Sequence, residues 1–385
     1  MVIVIAPDSF KGSLDAVQAA SAMRKGAWQV FAGQGHEISL LPMADGGEGT
    51  LDVIVAASRG STREVSSVDA LLRPVRCAYG ILLDGTAVIE LAQASGILHI
   101  EPQNRTPVNS SRASTYGTGL VIRRAILDGA VNICLTLGGS ATTDGGFGML
   151  AALGANYFDA GNQQIDGRDA NQLTYLSRVD VSAVQRLLLN IKISIACDVD
   201  CTLCGSSGGA HLFGTQKGLD NASIRRRDGE LRQFAQHLTE ATQRYSLGEV
   251  LKKQGLGAAG GAGLGLWLLG DTVLLAGSRL VSEHIGLAAA ISSADMVLTG
   301  EGCTDAQSVS GKVPSYVARV ANFFEKPCIV ISGKLGSGYE QMYRLGVKTL
   351  VQATPAGATE VEIGEHAAEW LAEATAATLR DLNSR

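Results

Sequence analysis

Acidic, lysine and glycine residues recur together in this sequence, several times just behind an apolar run. The first such segment is Pro7-Asp8-Ser9-Phe10-Lys11-Gly12-Ser13. A turn from strand to helix offers unpaired helix-start amides and the positive end of the helix dipole, both of which favour an anion. Lys11 adds a mobile ammonium charge there, and Asp8 a carboxylate. The second is Met43-Ala44-Asp45-Gly46-Gly47-Glu48-Gly49-Thr50. Carboxylates held in a glycine-rich turn suit Mg²⁺, a hard cation that takes oxygen ligands and bridges phosphate oxygens.

Further along, Gly138-Gly139-Ser140-Ala141-Thr142-Thr143-Asp144 follows a strongly apolar run. Paired glycines let backbone amides converge, and the hydroxyls add donors for phosphate or substrate. The spacing is not that of a P-loop, because no Gly-Lys-Ser/Thr closes it. Asp198 and Asp200 end another apolar run, and Lys217 lies between Gln216 and Gly218. Cys201 and Cys204 form a C-x₂-C with no second pair at zinc spacing, so packed thiols are the better reading. The run of small residues 257–265 suits either close packing or approach to a nucleotide. The last segment joins Gly300, Glu301 and Asp305 to Gly311-Lys312, just before a helical pattern. Acid, glycine and lysine thus meet at three separate strand ends, which points to a polyphosphate and metal site. Phosphoryl transfer asks mainly for positioning and charge neutralisation, so no nucleophilic triad is expected.

These segments need strands and helices to present them. Residues 1–6 read as a buried strand and 13–31 as a helix capped by Ser13 or Asp15. Residues 38–42 read as a second strand, with a loop over 44–49 and a helix to about residue 58. Near the other end, strands are expected at 296–299, 327–332 and 349–352, and helices at 313–323, 339–345 and 360–382. The middle differs in texture. Strands at 65–68, 75–79, 81–83 and 87–90 suggest a meander turning at Asp84-Gly85, followed by strands at 133–137 and 191–196. The charged run from Arg225 to Asp228 reads as a solvated face. The expected fold class is α/β in two domains. A Rossmann-like, flavodoxin-like parallel-sheet domain takes residues 1–63 plus 285–385, and a mixed α/β domain, 64–284, is inserted.

The chain has 385 residues, 46% of them hydrophobic and 18% charged, enough to bury a sizeable core. A formal charge of -5 argues against a nucleic-acid or anionic-membrane partner. Glycine supplies 47 of the 385 residues, well above the roughly 7% of an average domain. Seven scattered cysteines do not form a disulfide framework. The opening MVIVIAPDSFKGS has no basic stretch before its apolar run and reads as a strand, not a signal peptide. No apolar run is long enough for a membrane span. A cytoplasmic protein, monomer or homodimer, is expected.

PDSFKGSL, PMADGGEGT, GGSATTDGG, FGTQKG, GAAGG and TGEG, with the following Asp305, Gln307 and Gly311-Lys312, stand in the order and spacing of the type I glycerate kinases. The whole chain resembles that family. The resemblance implies transfer of a phosphoryl group from ATP, with Mg²⁺, to the 2-hydroxyl of D-glycerate in a cleft between two α/β domains, giving 2-phosphoglycerate and ADP. It also draws in Arg105, whose guanidinium could pair bidentately with the substrate carboxylate or form a structural salt bridge. The candidate catalytic residues are then Asp45, Asp198, Lys11 and Lys217, with Asp45 or Asp198 accepting the hydroxyl proton. Asp8, Ser9, Arg105, Gly46, Gly47, Ser140 and Thr142 are candidates for the acid. Gly138, Gly139, Gly300, Glu301 and Lys312 are candidates for the nucleotide, and Glu48, Asp198, Glu301 and Asp305 for the metal. The chain departs from the family pattern at Cys201-Thr202, Thr143 and Thr215. It departs most at Cys303-Thr304, where the family has an arginine and an aliphatic residue. Those departures leave open a kinase for a related hydroxy acid, or a silent binding regulator of glycerate and nucleotide.

Overall fold

The computed structural model describes residues 1–32, 35–309 and 311–384. They form two compact units. One comprises Met1–Asp45, Asp52–Ala57 and Ser278–Arg385, the other Gly46–Leu51 and Ser58–Gly277.

Five strands of the first unit pair side by side, all parallel, in the spatial order Val347–Gln352, Cys328–Ser332, Met296–Thr299, Val2–Ile5, Glu37–Leu40. Numbered along the chain within this unit, the order is 2-1-3-4-5, the flavodoxin-like doubly wound sheet expected from the sequence. Strands buried on both faces read as continuous apolar runs, which Val2–Ile5 and Cys328–Ser332 do. The chain runs one way from the first strand to the second and the other way from the third onward. Loops at the carboxyl ends of the first and third strands therefore part, and a crevice opens between them. Asp8 follows one of these strands and Glu301 the other.

Two helices, Ala16–Phe31 and Glu360–Asn383, pack against each other beside this sheet. The first starts at Ala16 rather than at residue 13. Asp15 is its cap, accepting from the Gln18 amide at 2.7 Å while the Gln18 side chain takes the Asp15 amide at 3.0 Å. The anion-binding helix start expected behind Lys11 is thus closed by its own capping box. Lys11, Gly12 and Ser13 instead form a separate tight turn, in which the Ser13 and Leu14 amides both donate to the Phe10 carbonyl.

The second unit carries a six-stranded mixed sheet. Asp271–Leu275, Lys192–Ala196, Asn132–Thr136 and Thr86–Glu90 run parallel, and Pro74–Ile81 and Ser61–Val68 extend the sheet antiparallel. The separate strand expected at 81–83 is absent. Ile81 ends the Pro74–Ile81 strand, and residues 82–85 make the turn, with the Gly85 amide donating to Leu82 and the Thr86 amide to Asp84. A small antiparallel sheet of Asn156–Phe158, Gln164–Ile165 and Arg178–Asp180 was not legible in the pattern. Nor is the charged run 225–228 wholly solvated. Arg227 is buried, donates to the Ala170 and Ser111 carbonyls and pairs with Glu230. A stem that buries its charge against carbonyls and a carboxylate is a structural tie.

Gly26 marks where the two long helices of the first unit touch. A Cβ there would lie 2.1 Å from the Ala372 carbonyl oxygen and 2.8 Å from the Thr375 Cβ. Gly364, in the partner helix, faces open space. Gly26→Ala should therefore destabilise the protein by about 1–3 kcal/mol through overpacking. Gly364→Ala should stabilise it by about 0.5–1 kcal/mol, the usual gain in a helix interior. Urea unfolding of both variants checks the pair of opposite signs.

Candidate active site

The first unit holds a cavity of about 640 Å³ at the carboxyl edge of its sheet. Asp8, Asp45, Glu301, Lys11, Lys312 and Lys334 all line it, with Ser9 and Cys303. Asp8 reaches it because the chain leaves the first strand locked to its neighbour, the Asp8 amide donating to the Gly300 carbonyl at 2.9 Å. Gly300 itself is packed against the next strand, where a Cβ would sit 1.8 Å from the Ile331 carbonyl oxygen. Only glycine lets the strand turn outward there and bring Glu301 to the crevice.

Burial pushes the Asp8 carboxyl up to about 7, and repulsion from Asp45 and Glu301 adds to the rise. The Ser9 amide, 2.7 Å from Asp8 Oδ1, and the nearby Lys11 only partly offset it. Burial also raises the Glu301 carboxyl, against the pull of Ser308, Lys312 and Thr304. Lys312 Nζ stands 3.8 Å from Glu301, and the Thr304 hydroxyl donates to Glu301 at 3.0 Å. Thr304, one of the pair at which the chain departs most from the family pattern, is thus a buried prop for Glu301. Cys303, the other, is an exposed thiol on the cavity wall. Asp305 is turned into its own loop, where its Oδ1 accepts the Gln307 and Ser308 amides. Lys334 was not singled out from the sequence. Its signal was there, a Gly333-Lys334 pair behind the apolar strand Cys328–Ser332.

The second unit assembles its own set at the carboxyl edge of the mixed sheet. The Gly138 amide donates to the Gly46 carbonyl, and a Cβ on Gly138 would lie 2.6 Å from the Gly47 Cα, so these two glycine turns touch backbone to backbone. Gly139, next in the turn, has a φ of +71°. Gly46 packs on Ala196 beside Asp198, whose carboxylate accepts the Gly277 amide at 2.7 Å. Lys217 is buried, and its ammonium donates to Ser140 Oγ at 2.8 Å and to the Thr142 carbonyl at 2.6 Å. Burial lowers this lysine to about 8, with the Asp144 charge pulling the other way. Asp144, for which the sequence suggests no role, fixes the turn. It accepts from the Thr115 amide and hydroxyl and from the Gly146 and Gly148 amides. The run 257–265 turns out to be packing: a Cβ on Gly260 would lie 2.3 Å from the Thr142 carbonyl oxygen. Thr142 Oγ1 is buried with no hydrogen-bond partner among the described residues.

One candidate is less open than expected. Arg105 donates Nε to the Ile100 carbonyl at 2.9 Å and Nη2 to the Ile97 carbonyl at 3.2 Å, and no carboxylate pairs with it among the described residues. Glu48 is an exposed side chain of its turn. No group of three or more His, Cys, Asp or Glu side chains is placed to hold a metal ion among the described residues. Mg²⁺ does not need one, because it commonly takes one or two carboxylates along with water and phosphate oxygens. The crowded oxygen donors Asp8, Asp45 and Glu301 fit that habit.

The Asp8 shift has a stability consequence. Between the ordinary value of 3.8 and about 7 the folded protein holds a proton on Asp8 that the unfolded chain has lost. Stability therefore falls as pH rises through that window and levels off above it. Asp8→Asn should remove this slope, seen as a gain over wild type that grows from about pH 4 to pH 7 in denaturant titrations.

Residues 3–383 match the family model described as the glycerate kinase family. The chain is 41% identical over 354 residues to a glycerate kinase of Halalkalibacterium halodurans, covering 92% of this chain and 90% of that one. It is 39% identical over 349 residues to a glycerate 2-kinase of Escherichia coli, covering 90% and 89%. A Salmonella typhimurium LT2 protein described as a candidate glycerate kinase 2 has a crystal structure that superposes with a TM-score of 0.88 at 34% identity, over 100% of this chain and 98% of that one. With a match this long and the lysine, carboxylate and glycine turns in place, the chain belongs to the glycerate kinase family.

Proposed function

We propose that the protein transfers the terminal phosphoryl group of ATP to the 2-hydroxyl of D-glycerate, as a cytoplasmic enzyme that uses Mg²⁺. The observation that carries this reading is the meeting of three carboxylates and three ammonium groups around one cavity at the switch point of a doubly wound sheet. Such a set has little use except to hold a highly charged anion and its cation. No helix is long and apolar enough to cross a membrane among the described residues.

In this reading Lys11, Lys312 and Lys334 hold and orient the phosphates, while Asp8, Asp45 and Glu301 supply the oxygen ligands for the metal. Bound there, Mg²⁺ would supply positive charge to offset the negative charge that develops on the phosphoryl group in transfer. Gly46, Gly47, Ser140 and Thr142 of the second unit receive the acid, with the unpartnered Thr142 hydroxyl as a donor in waiting. Lys217 keeps that turn in shape from below. A carboxylate, Asp45 or Asp198, accepts the hydroxyl proton as the 2-oxygen bonds to the γ-phosphorus and the bond to the β,γ-bridging oxygen breaks. The division into two α/β domains, one built from both chain ends, belongs to the same reading.

Cys303 favours two rivals. An exposed thiol stands on the cavity wall where the resembled family usually carries an arginine, and the missing positive charge would leave less to hold a phosphate. A protein altered there could bind both ligands without turnover or take a related hydroxy acid.

Purified protein with ATP, Mg²⁺ and D-glycerate should release ADP and form a product that enolase consumes without a mutase, which only the 2-phosphate allows. Lys11→Ala should lower kcat/KM by about 10²–10³-fold, the usual cost of one preorganised charge partner. A folded wild type that binds ADP and glycerate but releases no ADP would select the silent binder. Turnover only with another hydroxy acid would select the related kinase.

A further inference from the structure

The cavity of the first unit does not end at its charged mouth. Its wall continues along Ala353, Ala356, Ile363, Ala367 and Leu371. These residues come from the loop behind the strand Val347–Gln352 and from the first half of the helix Glu360–Asn383. The wall is preformed, because strand-like pairing runs on past the end of the strand. The Ala353 amide donates to the Ser332 carbonyl at 2.8 Å and the Thr354 amide to Gly333 at 3.0 Å. Ala367 and Leu371 are buried, so this side is firm and apolar.

One cavity therefore offers ammonium groups at one part of its lining and small aliphatic side chains at another. D-glycerate is small and polar throughout and has nothing to place on an apolar wall. At about 640 Å³ the space suits a larger guest, within the roughly 300–1,000 Å³ of small-molecule sites. We propose that this cavity is the whole nucleotide site, with the phosphates at Lys11, Lys312 and Lys334 and the purine base against Ala353, Ala356, Ile363 and Ala367. The inference rests on the phosphoryl-transfer reading for the identity of the guest and adds where its base lies. It assigns the nucleotide to the first unit alone, and leaves Gly138 and Gly139 of the second unit to the acid. The small side chains matter in themselves: alanines leave room for a flat ring that leucines would fill.

Cys303 supplies a readout that needs no turnover. It is the one exposed cysteine among the described residues and it lines this cavity. Its alkylation by iodoacetamide, followed by peptide mass spectrometry on the full chain, reports whether the mouth is covered. ADP and inorganic tripolyphosphate should each slow Cys303 alkylation, and D-glycerate alone should not. Ile363→Trp, which fills the apolar end, should weaken protection by ADP about tenfold or more and leave protection by tripolyphosphate unchanged. Ala356→Leu, on the exposed loop, should do the same and guards against a misfolded tryptophan variant. The inference is overturned if ADP gives no protection, if D-glycerate protects in its place, or if both variants weaken ADP and tripolyphosphate equally. Failure of the kinase reading would look different: ADP protection and its loss in the variants would stand, with no phosphoryl transfer in the enolase assay.

Discussion

A carboxylate taken out of water loses most of what stabilises its charge, and carboxylates buried side by side lose more, because each repels the next. The first unit sets Asp8 and Glu301 in that position, with the half-buried Asp45 beside them, where the first and third strands of the sheet part. Proteins tolerate such crowding where a cation or a proton relieves it. Here Lys11 and Lys312 relieve part of it, and Asp8 meets the remainder by holding its proton to about pH 7. The rest of the unit serves this arrangement. Gly300 lets the strand pass close under its neighbour and bring Glu301 forward, Thr304 and Ser332 brace Glu301 through linked hydroxyls, and the Ser9 amide holds Asp8.

The second unit solves a related problem with the opposite sign. Lys217 is buried under the 138–144 turn, where a bare ammonium would be costly, and it is kept by the Ser140 hydroxyl, the Thr142 carbonyl and the Asp144 charge. Asp144 is itself surrounded by donors from Thr115, Gly146 and Gly148. A buried charge held by several fixed partners resists displacement, so the turn above it is stiff. A stiff turn of glycines and hydroxyls is a suitable seat for a small polar acid, which must be held still for its hydroxyl to be phosphorylated.

Much of this was legible in the sequence because the signals were local. Apolar runs followed by Asp8, Asp45, Asp198 and Glu301 gave the strand ends, and the alternation of strands and helices gave the doubly wound sheet. What was not legible depended on tertiary placement. Arg227 sits in a charged run that looks solvated, yet carbonyls of distant segments take it into the interior. Arg105 reads as a partner for a carboxylate, of the substrate or of a structural salt bridge, and in the structure it donates to two carbonyls of a nearby turn. The helix start behind Lys11 looked like an anion site until Gln18 completed a capping box with Asp15, a competition between local partners that spacing does not resolve. Lys334 was overlooked because no acid stands beside it in sequence, although it lines the same cavity as the acids.

The central claim is that the carboxylates and lysines of the first unit are the seat of the phosphates and their metal. A crystal structure of the protein with Mg²⁺ and a non-hydrolysable ATP analogue tests it most directly. The account predicts phosphate oxygens within hydrogen-bonding reach of Lys11, Lys312 or Lys334 and the metal touching at least one of Asp8, Asp45 and Glu301. Phosphates bound elsewhere, out of reach of all six of those side chains, would contradict it.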